Sequence, residues 1–337
     1  MKLLNVFHAL SLSIFVLFIS SGKATAAVPA VPPVATPPTA DAAYDPTRPA
    51  TAPTATPKLL LDATRSSGGK AFLWEVKSKT NVIYLFGTIH VGKRNFYPLP
   101  PQVEAALKQS QRLVVEADIS NTDGLAYIDK IINYAAPDSL DKHIPPPLFE
   151  RLKAQLTRLQ IPLDAVKPMK PYLIGGFLSI AEFSKLGYDM NFGVDGYLIA
   201  KAKEDARPIL ELESQAGQLK MLNGMSPELQ VAFLENAIRV LESGKAPDQV
   251  TGMVNAWQTG DVKLMQEVTK AINNGMRMSD QLDEVLLYSR HEVMQKKIEN
   301  YLAGSVPHFV AVGSLHLVGP RGLVEMLRAR GFEVKQL

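Results

Sequence analysis

The sequence predicts an α/β fold: a mixed sheet built from strands at both ends of the chain, with a large helical insertion between them. Three observations carry that prediction. Short β-branched and aromatic runs open the folded part, a long stretch follows with apolar residues at spacings of three and four, and the carboxyl end returns to strand, helix and strand.

The amino end stands apart from that pattern. Lys2 precedes an apolar stretch from Leu3 to Ile19, and Ala24-Thr25-Ala26-Ala27 supplies a small-residue exit. Charged start, apolar middle and small exit read as a signal peptide at residues 1–26, cleaved after Ala26. The rival reading is an uncleaved N-terminal anchor, because the run approaches the length a bilayer needs. Residues 27–69 read as a disordered Pro/Ala/Thr-rich linker, with prolines at 29, 32, 33, 37, 38, 46, 49, 53 and 57. The folded domain is then residues 70–337, and no internal linker divides it.

Within the domain, Phe72–Val76 and Val82–Phe86 read as a hairpin across Lys77-Ser78-Lys79-Thr80-Asn81. Leu99-Pro100-Pro101 opens a helix to Gln109, since proline is tolerated in a first turn. Arg112–Ala117 reads as a buried strand ending in acidic residues. Apolar periodicity predicts helices over Leu148–Leu159, Leu173–Leu186, Val194–Ala202, Leu229–Leu241 and Leu282–Tyr301, interrupted by a strand at Pro208–Leu212. Lys167-Pro168-Met169-Lys170-Pro171 reads as a helix-to-helix turn. Strand His308–Val312, helix Gly322–Arg330 and strand Phe332–Lys335 close the chain.

Composition removes several function classes. The 337 residues include no cysteine, which excludes a disulfide scaffold, thiolate metal sites, a cysteine nucleophile and a lipid-modified cysteine. Charged residues make up 20% and the formal charge is +3, so no basic groove for nucleic acid is expected. Cleavage of the signal peptide leaves no stable membrane span, and the expected location is periplasmic or secreted.

The chemistry-bearing feature is an internal echo. Val82-Ile83-Tyr84-Leu85-Phe86-Gly87-Thr88-Ile89-His90 and Phe309-Val310-Ala311-Val312-Gly313-Ser314-Leu315-His316 share one design: strand, glycine, hydroxyl residue, aliphatic residue, histidine. Each histidine is thereby expected just past the carboxyl end of a strand, the edge where open α/β sheets bind ligands. The strand Leu113-Val114-Val115 ends in Glu116, with Asp118 two residues on. If the three strands are parallel neighbours, His90, His316 and a carboxylate converge. Such a set, with no thiolate, suits Zn, Mn, Fe or Co. Glu211 and Glu213 end another strand at the same edge, where one could act as general base. Arg290 and His291 lie on the last long helix, where Arg290 could clamp a substrate carbonyl. His291-Glu292-Val293-Met294-Gln295 is not the H-E-x-x-H zinc motif, because Gln295 replaces its second histidine. His143 and His308 read as structural, and the methionines as helix packing.

These residues resemble the TraB/GumN family, to which the Tiki extracellular metalloproteases are related. The likeness spans about residues 70 to 337. It rests on the two G-x-x-H units, Tyr97-Pro98-Leu99-Pro100, Leu113-Val114-Val115-Glu116, Leu212-Glu213 with Gln218-Leu219, Trp257 with Gly260-Asp261, Arg290, and Gly331-Phe332-Glu333-Val334. The resemblance implies a divalent-metal hydrolase, a peptidase above all, with His90, Glu116 and His316 as metal or catalytic residues. The sequence departs from the family at Arg290-His291, where the family usually has Arg-Asn. On this reading a metal (Mn, Co or Zn) activates water, Glu116 or Glu213 takes its proton and Arg290 stabilises the oxyanion. The alternatives are a haem or small-ligand binding protein on the same scaffold, and a non-catalytic envelope factor. The substrate is a peptide or a small molecule.

Overall fold

A computed structural model describes residues 69–121 and 128–337. The expected signal peptide, and the linker as far as residue 68, lie outside the described residues. The elements run β1 (Leu73–Lys77), β2 (Val82–Thr88), α1 (Pro101–Gln109), β3 (Arg112–Val115), α2 (Ile128–Ile132), α3 (Pro146–Arg158), α4 (Leu163–Val166), α5 (Pro171–Lys185) and α6 (Val194–Glu204). They continue as β4 (Ile209–Glu211), α7 (Gln215–Asn223), α8 (Pro227–Glu242), α9 (Ala246–Thr259), α10 (Val262–Asn273), α11 (Ser279–Asp283), α12 (Ser289–Ala303), β5 (His308–Gly313), α13 (Leu323–Ala329) and β6 (Glu333–Gln336).

The six strands form one mixed sheet in the order β4-β3-β5-β2-β1-β6. β1 is antiparallel to both β2 and β6, whereas β2, β5, β3 and β4 run parallel. The central strands are continuous apolar runs, as a sheet covered on both faces requires: every residue of β5 is buried, and so are Leu113, Val114 and Val115 of β3. The hairpin is closed by Asn81, whose side chain also donates to the carbonyls of Tyr301 and Val306 at 2.8 Å each. That pins the start of β2 to the end of α12 and the approach to β5.

The predicted architecture is the observed one: strands at both chain ends, helices between. Two local expectations shift. β3 stops at Val115, so Glu116 stands just past the strand rather than within it. The helix expected over Leu282–Tyr301 is three segments, because a π-helical turn, Glu284–Tyr288, separates α11 from α12. A π turn inserts a residue into the helical ladder and is frequent at functional sites; here it immediately precedes Arg290. The helices build apolar clusters of their own beside the sheet core, one of them joining Leu173 and Phe177 of α5 to Leu282, Leu286 and Leu287. Among the described residues no helix is long and apolar enough to cross a membrane.

Candidate active site

The two G-x-x-H turns leave neighbouring parallel strands at one edge of the sheet. Thr88 of β2 lies opposite Gly313 of β5, so the two units are offset by one residue, and His90 and His316 both line a single cavity of about 310 Å³. Glycine is required at the first exit: a Cβ on Gly87 would sit 2.6 Å from Phe72 Cδ1. The Gly87 carbonyl accepts a hydrogen bond from Trp257 Nε1 at 2.7 Å, which anchors α9 against this turn. The turns are also tied to each other, since Ser314 Oγ donates to the Thr88 carbonyl at 2.6 Å.

His90 is paired with a carboxylate. The Val194 amide donates to the Ile89 carbonyl at 2.9 Å, and a Cβ on Gly193 would overlap the His90 carbonyl. The first turn of α6 is therefore pressed against the His90 turn, which brings Asp195 alongside the ring. His90 Nδ1 lies 2.6 Å from Asp195 Oδ2, and Thr88 Oγ1 donates to Asp195 Oδ1 at 2.8 Å. Burial opposes a charge on His90, but the charge and hydrogen bond of Asp195, helped by Glu116, outweigh it and raise the pKa. The carboxylate on Nδ1 orients the ring and sets which of its two nitrogens carries the hydrogen.

His316 has a different environment. Its side chain is 1% exposed, against 18% for His90, and its nearest partners are Arg290 and His291, with the Glu116 carboxylate farther off at 3.5 Å. Arg290 Nη1 donates to Leu286 O at 2.7 Å and approaches His316 Nε2 at 3.2 Å. Arg290 Nη2 bonds to Glu116 Oε1 and to Glu213 Oε2, and Nε donates to the Glu213 carboxylate at 3.0 and 3.1 Å. All five guanidinium N–H groups are thus used. Burial works against the Arg290 charge, but the two glutamates outweigh it and raise its pKa further. Gln218 Nε2 donates to Glu116 Oε1 at 3.0 Å and to Glu213 Oε2 at 3.2 Å, and the Gly313 amide donates to Glu116 Oε2 at 3.0 Å.

The donors fix the tautomers. His291 Nδ1 lies 2.8 Å from the Arg321 carbonyl, so that nitrogen carries the hydrogen. Burial, followed by the proximity of His316, pushes the His291 pKa down to about 4, so its Nε2 is an acceptor. His316 Nδ1–H therefore donates to His291 Nε2 at 2.8 Å, and His316 Nε2 accepts from Arg290. A one-directional chain of hydrogen bonds runs from Arg290 through both imidazoles to the backbone of Arg321.

This arrangement bears on the metal that the donor types suggest. Among the described residues no group of three or more His, Asp or Glu side chains is arranged to hold an ion. The physical reason is Arg290, whose guanidinium occupies the space between Glu116, Glu213 and His316 and uses the lone pairs a cation would need. Glu116 and His316 do meet, at 3.5 Å, with Arg290 in contact with both. As placed, the expected ligands do not fit a metal. Asp118 lies outside the site: its amide donates to Glu211 Oε1 at 2.6 Å, and its carboxylate accepts from the Ser120 amide and hydroxyl. Asp195 was not legible in the sequence as a site residue; an acidic residue in a helix's first turn is ordinary.

A profile of the TraB/PrgY/gumN family matches residues 72–336. The chain belongs to the TraB/PrgY/gumN family. Its relatives include YbaP of Escherichia coli K12, 27% identical over 255 residues, which cover 73% of this chain and 87% of that protein. Metalloprotease TIKI1 of Danio rerio is 23% identical over 321 residues, covering 81% of this chain and 64% of the relative; human Metalloprotease TIKI1 is 21% identical over 314 residues, covering 79% and 61%. The chain therefore spans less than two thirds of these TIKI1 proteins. No solved structure matches it. Within this TraB-family domain His291 is buried, its imidazole hydrogen-bonded to His316 rather than facing solvent.

Proposed function

We propose that this TraB-family chain is an exported hydrolase of a carboxylic ester or amide, with His90 as its general base. The observation that supports this reading is the His90–Asp195 pair at the wall of the cavity. A carboxylate on Nδ1 orients an imidazole and favours its protonated form, the arrangement a general base needs at the moment it takes a proton. Water attacks the carbonyl carbon while His90 Nε2 takes one of its protons. The tetrahedral adduct collapses, the bond to the leaving group breaks, and His90 returns the proton to that group. The buried Arg290–Glu116–Glu213–Gln218 assembly holds the Gly313–His316 turn through the Gly313 amide and His316 Nε2. Export rests on residues 1–26.

The test is hydrolysis of chromogenic esters and anilides by the purified full chain. Replacement of His90 by Ala is expected to lower kcat by about 10²–10⁴-fold, the usual worth of a general base. An unchanged rate in His90→Ala would sink the assignment.

A second reading, a metal-dependent peptidase using Mn, Co or Zn, draws on the printed name of the TIKI1 relatives. It requires Arg290 to leave the space between Glu116, Glu213 and His316. Metal analysis of protein purified without chelator separates the two: stoichiometric metal that disappears in His90→Ala and His316→Ala supports the second reading, and failure to take up any of the three ions removes it.

A further inference from the structure

The cavity beyond His90 is walled by helices, and its wall is mainly apolar: Phe183 of α5, Phe233 of α8, Val254 of α9, Met265 and Ile272 of α10, and Leu286 of the π turn. Several polar side chains among the lining residues are already paired with protein groups. Asn236 exchanges two hydrogen bonds of 2.8 Å with the backbone of Arg277, and Asn273 donates to Asp283 at 2.9 Å. A peptide threaded here would bring backbone N–H and C=O groups that need partners. Strand addition, the usual way to satisfy them, is closed. The strands reaching the cavity, β2 and β5, are each paired on both sides, and the sheet edges β4 and β6 do not line it.

The size narrows the occupant further. At about 310 Å³ the cavity is roughly twice the ~150 Å³ apolar cavity that takes up benzene, which leaves room for about a dozen non-hydrogen atoms. We propose that this cavity receives the aliphatic acyl chain, about eight to ten carbons long, of the ester or amide that is cut, with its carbonyl beside His90. The chemical step rests on the hydrolase reading above; the site for the chain does not. Methionines at 253, 265 and 276 line the space, and their unbranched side chains can follow an aliphatic chain.

The test uses the full chain in two assays. In the first, radiolabelled decanoate serves as the probe and is displaced by fatty acids of increasing length. In the second, p-nitrophenyl esters from acetate to hexadecanoate are compared by kcat/KM. Burial of each methylene is expected to raise affinity and kcat/KM roughly fourfold, so octanoate should exceed butanoate by about 250-fold, with a fall once the chain outgrows the cavity. Ile272→Trp and Met276→Trp, at partly buried positions of the wall, should move both optima to shorter chains. Graded binding without hydrolysis upholds the acyl site and sinks the hydrolase reading. Hydrolysis with no dependence on chain length, probe binding that apolar peptides displace better than fatty acids, or no probe binding at all overturns the acyl site.

Discussion

The turn that carries His90 and the turn that carries His316 leave adjacent strands with the same residue pattern, and their histidines end in opposite chemical situations. His90 meets an anion, Asp195, and keeps contact with the cavity. His316 accepts from a cation, Arg290, donates to a neutral imidazole, His291, and is closed off from solvent. The difference arises outside the repeated unit. α6 supplies Asp195 to the first turn, and α12 supplies Arg290 and His291 to the second. A repeated motif fixes where a side chain starts; the elements packed on it decide what that side chain can do. On the proposed reading one histidine moves a proton, and the other helps to build the wall.

The sharpest way to break the comparison is to remove the cation. Arg290→Ala leaves Glu116 and Glu213 facing each other in a buried space, with Gln218 and the Gly313 amide as the remaining donors. Breaking a buried charge assembly from one side costs about 3–5 kcal/mol, so a large drop in the urea midpoint is expected. Arg290→Lys keeps the charge but cannot supply five fixed donors, and should recover only part of the loss. If Arg290→Ala unfolds within 1 kcal/mol of the parent, as about the worth of a surface ion pair, the network is not what holds the His316 turn.

Next in size is an opposition in pH dependence. His291, with its pKa pushed to about 4, stays neutral in the fold while the unfolded chain takes up a proton near pH 6.5. Stability is therefore lost as pH falls from about 6.5 to 4, by up to about 3 kcal/mol. His90 has the opposite sign: its raised pKa contributes stability that is fully present below about pH 6.5 and is lost as pH rises through its folded value. Thermal unfolding across pH should show the acid loss diminished in His291→Asn and the alkaline loss diminished in His90→Gln. Equal acid slopes in the parent and His291→Asn would refute the neutral, donor-accepting role given to His291.

The contrast also explains what could be read in advance. The sheet was legible because β2, β3 and β5 are uninterrupted apolar runs, and their parallel order follows once both histidine turns must reach one edge. Glu116, Glu213, His90, His316 and Arg290 were legible as chemistry at strand and helix ends. Their partnerships were not. Asp195 looks like any acidic residue in a first helical turn, and only the contact of Gly193 with the His90 turn gives it a role. Arg290 reads equally well as a surface charge, and only the π turn before it and the two glutamates facing it show a buried hub. The same local pattern around both histidines carried no sign of which would meet an anion, because that is decided by residues about a hundred positions from His90 and about twenty-five from His316.

The smallest effect expected is also the most specific to the His90 side. Thr88 occupies the position that Ser314 holds in the other unit, and it donates to Asp195 Oδ1 at 2.8 Å, while Ser314 donates to the Thr88 carbonyl instead. Thr88→Val keeps the shape of the buried side chain and removes that donor, at a cost of about 1.5–3 kcal/mol for a lost hydrogen bond to a charged group. Deprived of the hydroxyl, Asp195 relies more on His90, and the His90 ring should hold its proton to higher pH. Because the base must be neutral to accept a proton from water, the acid limb of the activity profile should move to higher pH, whereas Thr88→Ser, which keeps the donor, should leave it in place. Titration of the His90 ring by NMR measures the same shift without turnover, and a His90 titration unmoved by Thr88→Val would show that the hydroxyl does not tune the base through Asp195.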